Sequence, residues 1–291
     1  MTARINNNSA TTKFSAGRAG FKAVPPGPGR VFTQAECGTG GAYRLVRGCS
    51  LRGKRESELR VMGEQQKIGK KPGEGLFISF EGPDGAGKTT QARLLKDRLE
   101  ACGLPVLLTR EPGGTPIGEE LRRLLLNPSF KEMTVISEAL LYSAARAQLV
   151  STLIRPALSR GEIVLCDRYL DSSIVYQGLA GGEDLEMVTK INLWATGKLL
   201  PAITILLDLE ARRGLERLQK AETGAGAETW QGDRVEQKAL SFHRRVQQGF
   251  LQIAAREKER FFVVSAGDKP EVVQAKIWRR VQAVLTQRGH L

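Results

Sequence analysis

Gly82-Pro-Asp-Gly-Ala-Gly-Lys-Thr89 has the residue types and the spacing, G-x-x-x-x-G-K-[ST], that hold a polyphosphate. In such a loop Gly82 and Pro83 open the turn, Asp84, Gly85, Ala86 and Gly87 direct successive backbone N–H groups toward the anion, and Thr90 follows in the helix. Lys88 is the point charge for the β/γ-phosphates and Thr89 a hydroxyl ligand for Mg²⁺. The glycines alone would make an ordinary turn, but that leaves the adjacent Lys88 and Thr89 without a use.

Two further clusters follow apolar runs. Arg110-Glu-Pro-Gly-Gly114 and then Arg122 follow one; Asp167, Arg168 and Tyr169 follow the other. An aspartate at such a strand end holds Mg²⁺ through water or caps the next helix. An arginine there clamps a second phosphate or stays a solvated charge. Tyr142 and Arg146 are four apart, a spacing that puts an aromatic face and a guanidinium on one helix side. Ser173 and Gln177 repeat that spacing with hydroxyl and amide groups suited to a base edge. From spacing alone a half-buried Tyr with a surface Arg is the better reading of the first pair, and ordinary polar surface at least as good a reading of the second.

The elements that must position these groups alternate. Leu76–Phe80, Pro105–Thr109, Glu162–Cys166, Ile203–Leu207 and Phe261–Ser265 read as strands. Between and after them, 89–102, 117–126, 133–159, 171–177, 184–195, 211–220, 234–258 and 270–286 read as helices. Ala221–Gly232 reads as a loop. The pattern predicts an α/β three-layer sandwich, a five-stranded parallel sheet with helices on both faces. Ligands of such sheets bind at the strand C-terminal ends, where the clusters above fall.

The chain has 291 residues and a net charge of +13. Residues 1–72 hold 14 Lys/Arg against 4 Asp/Glu, and the remainder 30 against 27. The basic excess therefore sits in an N-terminal extension, which argues against a nucleic-acid groove in the folded part. That extension, rich in Gly, Pro, Asn, Ser and Arg, reads as disordered. It is either an organelle transit peptide or an upstream start, with Met62 beginning the working protein; the want of an Arg-rich amphipathic helix favours the second. A domain is expected over 73–291. No apolar run reaches the roughly 18–20 residues of a membrane span. Cys37, Cys49, Cys102 and Cys166 form no zinc spacing; Cys102 and Cys166 are expected to be buried thiols in a reducing, cytoplasmic setting.

Taken together, Phe80–Thr90, Thr109–Gly114, Gly118–Arg122, Tyr142–Gln148, Asp167–Ser173, Tyr176–Gly178, Asp233–Glu236 and Phe242-His243 closely resemble the bacterial thymidylate kinases, in family order over about 74–290. The resemblance implies phosphoryl transfer from ATP to dTMP with Mg²⁺, in a homodimer with no nucleic-acid or membrane partner. It implies that Tyr142 stacks on thymine, that Arg146, Ser173 and Gln177 read the base, and that Arg122 and Arg168 clamp the dTMP phosphate. Asp84 matches an acid near the sugar 3′-hydroxyl, Tyr169 a residue crowding the 2′ position, and Glu111 an acid near the acceptor phosphate and metal. Thr89, Asp167 and Glu111 form the implied metal set. Some family members carry a catalytic arginine in the phosphate loop. Gly85 stands at that position here, so the cation is expected from a lid at about 212–234. Ala221–Gly232 has no Arg or Lys, which leaves Arg213, Arg217, Lys220 and Arg234, with Arg217 and Arg234 preferred. A GTPase signature N-K-x-D is absent, and Arg168 follows Asp167 where an ATPase usually has glutamate.

Overall fold

A computed structural model describes residues 75–224 and 231–291. The expectations for 1–72, including the start at Met62, and for the middle of the lid lie outside those residues.

The five apolar runs form β1 (Leu76–Glu81), β2 (Val106–Arg110), β3 (Ile163–Asp167), β4 (Ile203–Asp208) and β5 (Phe261–Ser265). All pairings are parallel, in the order β2-β3-β1-β4-β5. Every residue of β1 is buried, as expected of a central strand covered on both faces. Side chains alternate across it. Phe77 enters one core with Val164, Cys166 and Leu206. Leu76, Ile78 and Phe80 enter the other with Ile163, Leu165 and Ile205.

Helices α1 (Lys88–Ala101) and α9 (Pro270–Arg288) cover the second face with Leu95, Leu99, Ile277 and Val281. Each such side chain stabilises the fold by about 1.5–3 kcal/mol through burial. The first face is covered by α3 (Val135–Leu149), α5 (Leu170–Ser173) and α8 (Leu240–Arg256). Helix α2 (Pro116–Leu126) packs on α3, and α3 in turn packs on α6 (Leu185–Thr196). Helix α7 (Ala211–Gly224) follows β4.

Three expected helices differ in detail. The run 133–159 starts at Val135, where the Thr134 hydroxyl accepts the Ser137 N–H at 3.2 Å. It then widens into a π turn at Val150–Ile154 before α4 (Arg155–Ser159). Pro156 has no N–H to continue an α ladder, and the widening falls just ahead of it. The segment after Asp167-Arg168 is helical as α5 and continues as a π stretch, Ile174–Leu179. The expected helix from Arg234 begins only at Leu240. Asp233 Oδ1 accepts the Val235 and Glu236 N–H groups at 2.8 and 2.9 Å and closes a separate turn there. Cys166 is buried as expected, but Cys102 at the end of α1 is exposed. Among the described residues no helix is long and apolar enough to cross a membrane.

The sheet register sets the level of the strand ends. Phe80 and Arg110 both lie opposite Asp167. The loops leaving β1, β2 and β3 therefore start side by side.

Candidate active site

A cavity of about 410 Å³ opens at those three strand ends. Its floor is the phosphate loop. Gly87 has φ 88° and caps α1, whose first residues are Lys88 and Thr89. Lys88 is buried, and its Nζ donates to the Gly82 and Pro83 carbonyls at 3.1 and 2.8 Å. Burial, then the Arg168 charge, bring its pKa down to about 8 against the pull of Asp84, Asp167 and Glu81. An anion in the loop would supply the charge partner that this ammonium lacks.

Arg168 stands at the centre, with φ 70°. Its guanidinium donates to the Gly82 carbonyl and the Ser172 hydroxyl, both at 3.2 Å, and pairs with Asp84. Asp84 also accepts the Tyr176 hydroxyl at 2.8 Å, and His243 Nδ1 lies 3.6 Å away. Burial alone would raise the Asp84 carboxyl, but Arg168, His243, Lys88 and Tyr176 hold it well below the usual carboxylate range. Thr89 Oγ1 donates to Asp167 Oδ2, so two of the three expected metal ligands adjoin, while the third, Glu111, is engaged by Arg146.

Glu111 and Arg146 form a buried pair, with Nε to Oε2 at 2.7 Å. Arg146 also donates to Ser173 Oγ at 3.1 Å, to Asn192 Oδ1 and to the Tyr169 carbonyl at 3.3 Å. It thus lies behind the cavity wall, and only its partners Glu111 and Ser173 line the cavity. Removing one member of such a pair costs about 3–5 kcal/mol, so Arg146 has structural weight whatever it does for a base. Glu111 Oε1 is buried with no hydrogen-bond partner, and burial raises its pKa despite Arg146.

Gln177 lines the cavity with Tyr142 and Ser173. Its Nε2 donates to Glu138 Oε1 at 2.6 Å, and its Oε1 is buried without a partner among the described residues. Glu138 is held from the other side by Arg234, whose Nη2 donates to Oε2 at 2.6 Å. Arg234 also donates to the Leu125 carbonyl at 2.7 Å and does not line the cavity. Arg217 does line it, with Nη2 on the Ala266 carbonyl at 3.0 Å. Arg122 lines it too, anchored by the Pro112 carbonyl at 3.0 Å.

Chemically the lining combines a phosphate cradle and the cations Arg122 and Arg168 with an aromatic ring, a hydroxyl and an amide. The sequence profile of the thymidylate kinase family matches residues 80–277. The chain belongs to the thymidylate kinase family. It is 49% identical over 217 residues to the thymidylate kinase of Deinococcus radiodurans, covering 75% of this chain and 99% of that protein. With the thymidylate kinase of Symbiobacterium thermophilum the identity is 50% over 213 residues, covering 73% and 95%. The crystal structure of the thymidylate kinase from Ehrlichia chaffeensis superposes with a TM-score of 0.57 at 31% identity, over 72% of this chain and 99% of that one.

Set beside the family pattern, most expected site residues meet in the one cavity. Asp84, Gly85, Gly87, Lys88, Thr89 and Thr90 line it; Gly82, Pro83 and Ala86 sit in the loop without lining it. Tyr169 is the clearest departure. Its ring is fully buried against Phe77, and its hydroxyl donates to the Leu199 carbonyl at 3.1 Å. Tyr176 joins Tyr142 at the cavity instead; it lies within the matched stretch Tyr176–Gly178, to which the sequence assigned no role. Ser172, Asp233 and Glu236 also line the cavity without having been singled out, although each belongs to a matched motif.

The donor set fits Mg²⁺. Among the described residues no cluster of three or more His, Cys, Asp or Glu side chains could cage a metal. Mg²⁺ is ordinarily held by one or two protein oxygens, substrate phosphates and water, and the Thr89–Asp167 pair beside Lys88 supplies those oxygens.

Proposed function

We propose that this protein transfers the γ-phosphoryl group of ATP to dTMP, giving dTDP and ADP. The observation that carries the reading is the sharing of one cavity by the ATP-type phosphate loop and by Arg122, Arg168, Tyr142, Ser173 and Gln177. Thymidylate kinases in general use ATP and Mg²⁺ for this reaction, and when bound the metal would neutralise charge on the β/γ-phosphates.

Lys88 and the loop N–H groups hold the donor phosphates, with Thr89 and Asp167 turned to the metal. Arg122 and Arg168 hold the acceptor phosphate in line with the donor. Phosphoryl transfer asks mainly for that alignment and for cationic stabilisation of the transferring group. Tyr142 stacks on the thymine. The unpaired Oε1 of Gln177 accepts the base N3–H, its amide fixed by Glu138, and Ser173 stands beside it. Arg146 acts on the base only through Ser173 and Glu111. Tyr176, hydrogen-bonded to the sugar-facing Asp84, takes the place beside the 2′ position that the family resemblance implied for Tyr169.

Arg217 is the lid cation, since it faces the cavity while Arg234 is engaged with Glu138. The loop glycine agrees with a cation from elsewhere. A Cβ at Gly85 would lie 2.0 Å from the Gly214 carbonyl oxygen of α7, so no side chain fits there.

A homodimer has a surface available. Ile117, Leu140 and Trp194 are exposed, Trp194 by 88%, on the adjacent helices α2, α3 and α6. Apolar groups so placed mark an association face. Leu140→Glu is expected to convert a dimer to a monomer in sedimentation; an unchanged mass would move the interface elsewhere.

The reaction is tested with ATP labelled at the γ-phosphate, Mg²⁺ and dTMP. The label should move into dTDP. Label released as inorganic phosphate at the same rate without dTMP would point instead to an ATPase.

A further inference from the structure

Glu81 is the last residue of β1 and has no solvent exposure. A carboxyl group at that depth is costly and needs partners. It has three. Its Oε1 accepts the Tyr169 N–H at 2.8 Å and the Ser172 N–H at 3.3 Å; its Oε2 accepts the Ser172 hydroxyl at 2.6 Å. Both residues follow Arg168, Tyr169 at the turn between β3 and α5 and Ser172 within α5. The turn puts Arg168 in the left-handed region, φ 70°, a strained conformation for a non-glycine residue that persists only where the surroundings impose it. The backbone of β1 adds to the grip, because the Arg168 N–H donates to the Phe80 carbonyl at 2.9 Å. Ser172, fixed by Glu81, also receives the Arg168 guanidinium at 3.2 Å. The Glu81 carboxyl therefore touches both the peptide that follows Arg168 and the hydroxyl that aims its side chain.

We infer that Glu81 is a positioning residue for the acceptor phosphate, holding Arg168 in its left-handed turn and directing its guanidinium through Ser172. The inference rests on the reading of Arg168 as a phosphate clamp. Glu81 touches neither nucleotide; its work is geometric. An amide should replace it, because glutamine keeps an oxygen for the two N–H groups and an NH₂ that can donate to Ser172 Oγ. An apolar side chain should not.

The test uses the full chain and a double-mutant cycle. Glu81→Gln should stay within about threefold of the parent in kcat/KM for dTMP, because the amide retains the contacts to Tyr169 and Ser172. Glu81→Leu should raise the KM for dTMP tenfold or more and change that for ATP less than twofold. Ser172→Ala, which loses one hydroxyl and should leave folding intact, should raise the dTMP KM by a smaller factor. In an Arg168→Ala background neither Glu81→Leu nor Ser172→Ala should lower kcat/KM further. Losses that add in that background, or equal rises in both KM values, would make Glu81 a fold residue only and overturn the inference. A wild-type dTMP KM in Arg168→Ala alone would overturn the reading of Arg168 and the inference with it.

Discussion

Tyr169 and Tyr176 show how far residue type and position within a motif can mislead. Both follow the β3 end, and a sequence cannot say which one turns inward. Packing decides it. Tyr169 stands edge-on to Phe77 with ring centroids 4.9 Å apart, while Tyr176 sits between Phe242 and Phe250 with its hydroxyl on Asp84. Tyr176→Phe is expected to narrow the preference for dTMP over its ribonucleotide counterpart at least fivefold, measured as the ratio of kcat/KM values, because the hydroxyl beside Asp84 is what fills that corner. Tyr169→Phe should leave the ratio unchanged and cost about 1 kcal/mol in denaturant unfolding, for the hydrogen bond to Leu199. The opposite pattern would return the role to Tyr169. Arg146 is a comparable case. The spacing from Tyr142 correctly put the two on one helix. It could not show that the guanidinium would be consumed by Glu111, Ser173 and Asn192 across three other segments.

At the level of elements, the strands were legible to within a residue because they are short apolar runs ended by glycine, proline or charge. The helix boundaries that shifted did so for local chemical reasons: Pro156 in the first turn of α4, and Asp233 closing a turn where apolar periodicity continued from 234 onward. The contact between the phosphate loop and α7 was beyond any such reading, since it pairs Gly85 with a glycine far along the chain. A Cβ at Gly85 meets the Gly214 carbonyl, and one at Gly214 would lie 2.1 Å from the Asp84 carbonyl oxygen. Gly85→Ala should therefore weaken ATP binding tenfold or more by fluorescence titration and lower Tm by several degrees, as the loop and α7 are forced apart. Wild-type affinity would mean that α7 yields easily and that the glycine has another cause. The same contact explains why the catalytic cation is sought on α7 itself, where Arg217 faces the cavity.

For the whole molecule, the buried charges set a pH dependence. Burial and the neighbouring Asp171 push the Glu81 carboxyl from 4.5 up to about 8, opposed by Ser172, Arg168 and the Tyr169 N–H. Asp171 is itself paired with Arg260, Nη1 to Oδ2 at 2.6 Å. Between pH 4.5 and 8 the folded chain thus holds a proton on Glu81 that the unfolded chain has released. Stability from this group falls as pH rises through that window and levels off above it. Asp84 acts in the opposite direction. Its lowered pKa stabilises the fold at neutral pH, and that contribution is lost in acid. Glu81→Gln should flatten the decline in Tm between pH 5.5 and 8 relative to the parent; parallel curves would contradict the assignment. None of this was legible beforehand, because depth in a core is a property of the packed molecule. The central claim is that one cavity joins an ATP cradle to a thymine-reading acceptor site. It is tested most directly by ADP release from the full-length protein with ATP, Mg²⁺ and dTMP, CMP, UMP or GMP in turn. The cavity geometry predicts kcat/KM for dTMP at least a hundredfold above each of the others. Comparable turnover with CMP, UMP or GMP, or ADP release without any acceptor, would contradict it.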